Sequence, residues 1–259
     1  MTYEQTFAAG ESVVATGESR VPEVTPGFWL IKLMAVTMGE TAADYLAVNL
    51  GIGLVPTTIL MTLVLAAVLR WQFAQGRYVP AIYWTAVVLI SVVGTLVTDN
   101  LTDGFGVPLI YSTIVFTLLL GGTFAAWFSS ECSLSIHEVY TARREGFYWL
   151  AILFTFALGT ASGDLVAEQF AMGYMASGIL FGLIIASLAS GYYALKLGGL
   201  WAFWLSYIFT RPLGASFGDL LSQPREYGGL GLGTTITSLG FLTVIALTVA
   251  AMTLTRRRR

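Results

Sequence analysis

A pattern that recurs four times limits what this chain can fold into. An aromatic-Trp pair is followed ten residues after the Trp by Gly, and five residues later by Asp. The copies are Phe28-Trp29…Gly39…Asp44, Tyr83-Trp84…Gly94…Asp99, Tyr148-Trp149…Gly159…Asp164 and Phe203-Trp204…Gly214…Asp219. The Asp-to-Asp steps are 55, 65 and 55 residues, so the first pair of copies maps onto the second with a constant shift of 120. Units this short cannot bury a core alone and must pack on one another.

The medium in which they pack follows from composition. Of 259 residues, 56% are hydrophobic and 11% charged, whereas a soluble domain carries about 25% charged residues. Apolar segments of roughly 20 residues cross about 30 Å of hydrocarbon. Such segments lie near 27–48, 54–75, 80–102, 107–129, 146–167, 173–195, 199–221 and 231–254. The expected fold is an all-α polytopic membrane protein of eight transmembrane helices, with the motifs on the odd-numbered ones. Two crossings per unit bring every unit in from the same side. That implies four parallel two-helix repeats, in a pseudo-fourfold arrangement about an axis along the membrane normal. A single transmembrane domain is expected over 26–255, with repeats at about 27–79, 80–129, 146–198 and 199–254. Residues 130–145 form a cytoplasmic loop between the halves. The polar, acidic residues 1–25 read as a disordered cytoplasmic tail without a signal peptide. Residues 256–259 form a basic tail suited to anionic lipid.

Orientation comes from Lys and Arg. Arg20, Arg70, Arg77, Arg143, Arg144, Lys196 and Arg256 to Arg259 fall on one side, against Arg225 on the other. The positive-inside rule then puts both termini in the cytoplasm. The four Trp residues are expected as anchors at the cytoplasmic interface, and Lys32, close to Trp29, as a side chain snorkelling there. Fifteen residues at 1.5 Å each place every Asp ~22 Å further along its helix, so the four acids should share one level in the outer half of the membrane. The four Gly residues are expected as helix contacts around the axis.

An Asp inside a membrane helix costs roughly 2.5–3.5 kcal/mol and is a functional hypothesis by default. Small residues precede each one: Ala43, Thr98, Gly163 and Gly218. Gly-rich turns follow, and hydroxyls such as Thr57, Thr58, Ser112, Thr113, Ser177, Thr234 and Thr235 open the next helices. Carboxylate, hydroxyl and carbonyl oxygens suit hard cations. Glu40 adds a fifth acid one turn before Asp44. Lys32 and Arg211 are the in-membrane bases, expected in gating or charge pairing, with Glu40 a partner for Arg211. Pro212 is expected to kink its helix and free a carbonyl. Three negative charges remain uncompensated if all groups ionise, so the cluster should bind a cation or hold protons. One Cys and one His, Cys132 and His137, exclude an internal disulfide, a Cys/His metal cluster and a bis-His haem. No nucleophile-base pair, HExxH or phosphate cradle is present, so no enzyme is expected.

Several stretches resemble a known family: Val21-Pro22-Glu23-Val24-Thr25-Pro26-Gly27-Phe28-Trp29, Gly39-Glu40-Thr41, Phe147-Tyr148-Trp149 with Gly159-Thr160-Ala161-Ser162-Gly163-Asp164, and Thr210-Arg211-Pro212-Leu213-Gly214-Ala215 with Gly218-Asp219. They are similar to an uncharacterised bacterial family described as a conserved "membrane-anchored protein". The resemblance covers about residues 21–255 and implies a polytopic protein of the bacterial inner membrane, with no activity to carry over. In motif style alone, Gly-Asp sequences repeated in paired helices look like those of small bacterial manganese and calcium exporters.

The expected function is transport of a small divalent cation, with manganese the named candidate, by proton-coupled efflux. Asp44, Asp99, Asp164 and Asp219 are the expected metal and proton ligands, with Glu40 breaking the symmetry. The alternatives are a cation channel, or a carrier of a small organic substrate using Lys32 and Arg211. The expected partners are the cation, protons and lipid, with no nucleic acid and no covalently bound cofactor, in a monomer or homodimer.

Overall fold

The structure, a computed structural model, describes residues 19–257. Eight long helices run through it: α1 (Pro26–Asp44), α2 (Leu54–Gln75), α3 (Pro80–Asp99), α4 (Leu109–Glu131), α5 (Ala142–Asp164), α6 (Gly173–Leu195), α7 (Gly199–Ser222) and α8 (Thr234–Arg257). Pro26 and Pro80 open α1 and α3, where a missing N–H costs nothing. Thr25 and Thr141 cap α1 and α5 by accepting from Phe28 N and Arg144 N. Helix α7 runs on through Pro212.

Six helices are long and apolar enough to cross a membrane: α2, α4, α6, α8, and α3 and α5 with their extensions to Gly104 and Gln169. The chain is a membrane protein with an internal repeat. Helices α1 and α7 are not among the six, because Lys32, Glu40 and Asp44 in one and Arg211, Pro212 and Asp219 in the other dilute their apolar surface. Those helices lie inside the bundle. In α3 and α5, 72% and 67% of the apolar window is buried, against 11% in α2 and α6. The motif helices therefore make the core, and the plain helices turn residues such as Leu60, Leu63, Leu118, Leu183 and Leu247 outward.

The motif helices touch in cyclic order, α1 on α3, α3 on α5, α5 on α7 and α7 on α1. Each plain helix lies mainly on the next motif helix: α2 on α3, α4 on α5, α6 on α7 and α8 on α1. The motif glycines make the close approaches possible. A Cβ on Gly39 would strike Ser91; on Gly94, Phe156; on Gly159, Arg211; on Gly214, Val36. In every case the residue struck stands three positions before the Gly of the next repeat.

Part of the expected tail is ordered. Val21 and Pro22 are buried, Tyr78 N donates to Ser19 O, and Arg20 N donates to Val139 O. Arg20 also pairs with Glu145 at 2.7 Å. The order comes from a buried carboxylate that needs a cation. The rest of the expected tail, residues 1–18, and the last two residues of the basic tail lie outside the described residues. The link between the halves is shorter than expected, because α4 reaches Glu131 and α5 starts at Ala142. Arg144 folds that link by bonding Glu131 at 2.8 Å and Glu138 at 3.1 Å.

Candidate functional site

Along each motif helix the inward residues recur every four positions, as i and i+4 neighbours do on one helix face. The four helices thus build successive layers, from an aromatic end to a carboxylate end.

The first layer is Phe28, Tyr83, Tyr148 and Phe203. Each ring packs on the Trp of the next repeat: Phe28 on Trp84 at 5.6 Å, Tyr83 on Trp149 at 5.3 Å, Tyr148 on Trp204 at 6.3 Å and Phe203 on Trp29 at 5.7 Å between centroids. Trp84, Trp149 and Trp204 are 1–3% exposed. The expectation of interfacial anchors is therefore corrected for these three, which interlock inside the bundle because each has an aromatic neighbour on the adjoining helix, while Trp29 is half-buried. Trp71 and Trp201 are the exposed ones.

The second layer is Lys32, Val87, Ile152 and Tyr207, all fully buried. Lys32 does not snorkel. Its ammonium donates to Tyr207 O at 2.8 Å and sits 3.7 Å from the Tyr207 ring centre, with Phe156 and Trp29 at 5.7 and 5.9 Å. Aromatic faces and a carbonyl substitute for water around this cation.

The third and fourth layers hold a buried ion pair. Arg211 stands beside Val36, Ser91 and Phe156. Its guanidinium reaches the next layer, Glu40, Thr95, Thr160 and Ala215. Nη2 lies 2.9 Å from Glu40 and 2.8 Å from Thr160 Oγ1, and also donates to Thr95 Oγ1. Nη1 donates to Val36 O at 3.2 Å. A single side chain from the fourth repeat thus bonds all three others. These layers are packed solid: of the eight residues only Glu40 is more than 1% exposed, at 6%.

Beyond them the inner face becomes less completely buried. Asp44, Asp99 and Asp164 are half-buried, while Asp219 is 8% exposed. Glu40 lies within electrostatic range of all four, and Asp164 within range of Asp99 and Asp219. Gln223 donates to Asp44 at 3.4 Å. Among the described residues no three acids, His or Cys draw close enough to hold a metal ion. The four motif acids come from four helices and gather at one end of the bundle without forming a ready-made coordination point. The hydroxyls expected as ligands are mostly turned elsewhere. Thr57, Thr58 and Thr113 donate to their own helix backbones, whereas Ser112 Oγ and Ser177 Oγ have no hydrogen-bond partner among the described residues.

Directly after three of the acids the helix widens to π-helical turns, Tyr45–Asn49, Asn100–Gly104 and Leu165–Gln169. π turns inside helices accompany functional sites. One further four-residue step gives Val48, Asp103, Glu168 and Gln223. Asp103 and Glu168 are exposed carboxylates within electrostatic range of the inner acids. Extending the four-residue step past the motif Asp would have found both.

The model of one protein family, the Repeat of Unknown Function (DUF347), matches four times, over residues 27–78, 82–133, 147–197 and 202–258. No curated protein and no solved structure matches the chain.

Proposed function

The chain belongs to the DUF347 repeat family, and on that premise we propose that its four repeats form a pseudo-fourfold membrane transporter of a small cation. The observation that carries this reading is the gathering of carboxylates from all four repeats at one end of the bundle, against the buried Arg211–Glu40 pair; in this reading they line a cation chamber. A cation arriving at the open end meets Asp103 and Glu168, then Asp44, Asp99, Asp164 and Asp219, and finally Glu40. A divalent ion still carrying water fits the spread of the acids, and Mn²⁺ is the ion to try first.

Arg211 plays the part of a tethered counter-cation. It neutralises Glu40 while the chamber is empty, and incoming positive charge competes with it for that carboxylate. Protons on the same acids discharge the chamber when the ion leaves, which couples cation efflux to proton entry. The basic bias of the termini and short loops supports a bacterial inner-membrane location, with both termini cytoplasmic and the chamber facing out. A channel is less well supported, because three filled layers close the centre. An organic-anion carrier is less well supported too, because Lys32 and Arg211 are inaccessible and already bonded.

The test is Mn²⁺ and proton flux in proteoliposomes. Asp164→Asn should lose flux by at least about ten-fold, since it removes one of few in-membrane charges, while eluting and melting as wild type does. Full flux in that variant would overturn the reading.

A further inference from the structure

At the opposite end of the bundle a groove of about 720 Å³ opens between α1, α6 and α7. Trp29, Phe203 and Trp204 line it from inside, and Leu188, Ala189 and Tyr192 of the outward-facing α6 line it from outside. None of its lining residues is Asp, Glu, Lys or Arg. Its remaining wall is the loop Leu134, Ser135, Ile136 and His137; with no carboxylate in the lining a cation would go unpaired at high cost, so this is not a second cation site.

The 120-residue shift explains why the groove is empty of protein. It carries Thr25 onto Glu145, Trp29 onto Trp149, Tyr192 onto Gln72 and Tyr140 onto Arg20. At the related place in the other half those polar side chains fill the space. Glu145, fully buried, accepts from Arg20 at 2.7 Å, Gln72 at 3.0 Å and Trp149 Nε1 at 3.3 Å. In the groove, Thr25 is used as the cap of α1, and Trp29 Nε1 makes no hydrogen bond among the described residues. One half carries a polar plug where the other carries a cavity with an unused indole donor.

We infer that the groove holds part of one membrane glycerolipid, with an acyl chain along α6 and an ester carbonyl accepting from Trp29 Nε1. The volume suits a bound small molecule, since such sites run from roughly 300 to 1,000 Å³, with apolar walls and few polar groups. Exposed Tyr193 and Trp201 flank it, and such rings gather at the depth of lipid ester groups. The mostly apolar lining, without Asp, Glu, Lys or Arg, selects the chain-and-ester portion and leaves the headgroup in water.

The experiment is native mass spectrometry of the full chain in detergent, with two phosphatidylglycerols of equal chain length, one diester and one diether. Wild type should retain one diester lipid and roughly five-fold less diether lipid, the loss of one hydrogen bond. Trp29→Phe should abolish that preference. Ala189→Phe combined with Ser206→Phe, which fills the groove, should retain neither. Equal retention of both lipids by wild type, or full retention by the filled variant, would overturn the site. Should the filled variant fail to fold, the diester-diether comparison in wild type and Trp29→Phe decides alone. Lipid retention is read without cation flux, so either proposal can fail while the other stands.

Discussion

Arg211 and Glu40 close the bundle on itself, the last repeat meeting the first through Nη2 and Oε2 at 2.9 Å with 0% and 7% of their side chains exposed. The Arg fork also serves Thr95, Thr160 and Val36 O, which one Lys ammonium could not do in the same geometry. A charge held this way is costly to strand.

Glu40→Gln should therefore destabilise the protein by about 3 kcal/mol, because removing one partner leaves a buried charge uncompensated. Glu40→Leu with Arg211→Met should recover wild-type stability to within about 1 kcal/mol, as apolar replacement of a buried pair is often neutral or better. Thr95 and Thr160 keep their own backbone acceptors, Ser91 O and Phe156 O, in that variant. Denaturant titration in detergent measures both. A double variant as weak as the single one would show that stranded charge is not the cause.

The motif glycines should divide from the lipid-side ones. Gly159→Ala drives a methyl into the Arg211 side chain and Gly214→Ala into Val36, costing about 1–3 kcal/mol by overpacking. Gly121→Ala and Gly240→Ala meet nothing within 4 Å and should raise stability by up to about 1 kcal/mol, the penalty of Gly within a helix. Melting temperatures of the four variants make the comparison. Equal losses in both pairs would contradict it.

Lys32→Met should leave stability unchanged within about 1 kcal/mol, or raise it, since an apolar isostere removes the cost of burying an ammonium. Among the described residues Lys32 is the only donor outside the helix backbone that reaches Tyr207 O, and that carbonyl retains its place in α7. Thermal unfolding in detergent is the readout, and a loss above about 2 kcal/mol would show that the aromatic cage more than offsets burial.

The loop between the halves should loosen in acid. Ser133 Oγ donates to Glu138 at 2.7 Å, and Arg144 adds a bond and a charge, so Glu138 sits below its ordinary value of 4.5 despite some burial. A lowered folded value means the contact is complete above the ordinary range and lost as pH falls through the folded value. A spin label on exposed Cys132 should stay immobile from pH 8 to 5 and gain mobility below about 4.5. Ser133→Ala should move the onset upward. Mobility that changes first near neutrality would point to another group.

The number of helices and the motif glycines as contacts were legible because spacing alone encodes them. The burial of Trp84, Trp149 and Trp204 was not. An aromatic pair opening an apolar helix looks the same whether the ring meets lipid or another helix, and the deciding neighbour is a whole repeat away. Lys32 was misplaced for a related reason: proximity to Trp29 spoke for the interface, while the four-residue step to Phe28 and Val36 placed it on the inner face. Residues 19–25 looked like tail because Arg20 finds Glu145 only 125 positions later. The acids were legible as a group, but whether they gather on one point depends on helix splay that no local pattern records.

The grip of Phe203 on Trp29, repeated between every other pair of neighbours, leaves no terminal unit to cap. Linear arrays of helical hairpins can lengthen by one hairpin at a time, since only an end contact must be remade. Here a fifth copy would have to force apart two partners already matched. Duplication can build such a molecule by doubling, from one to two to four, and must then stop.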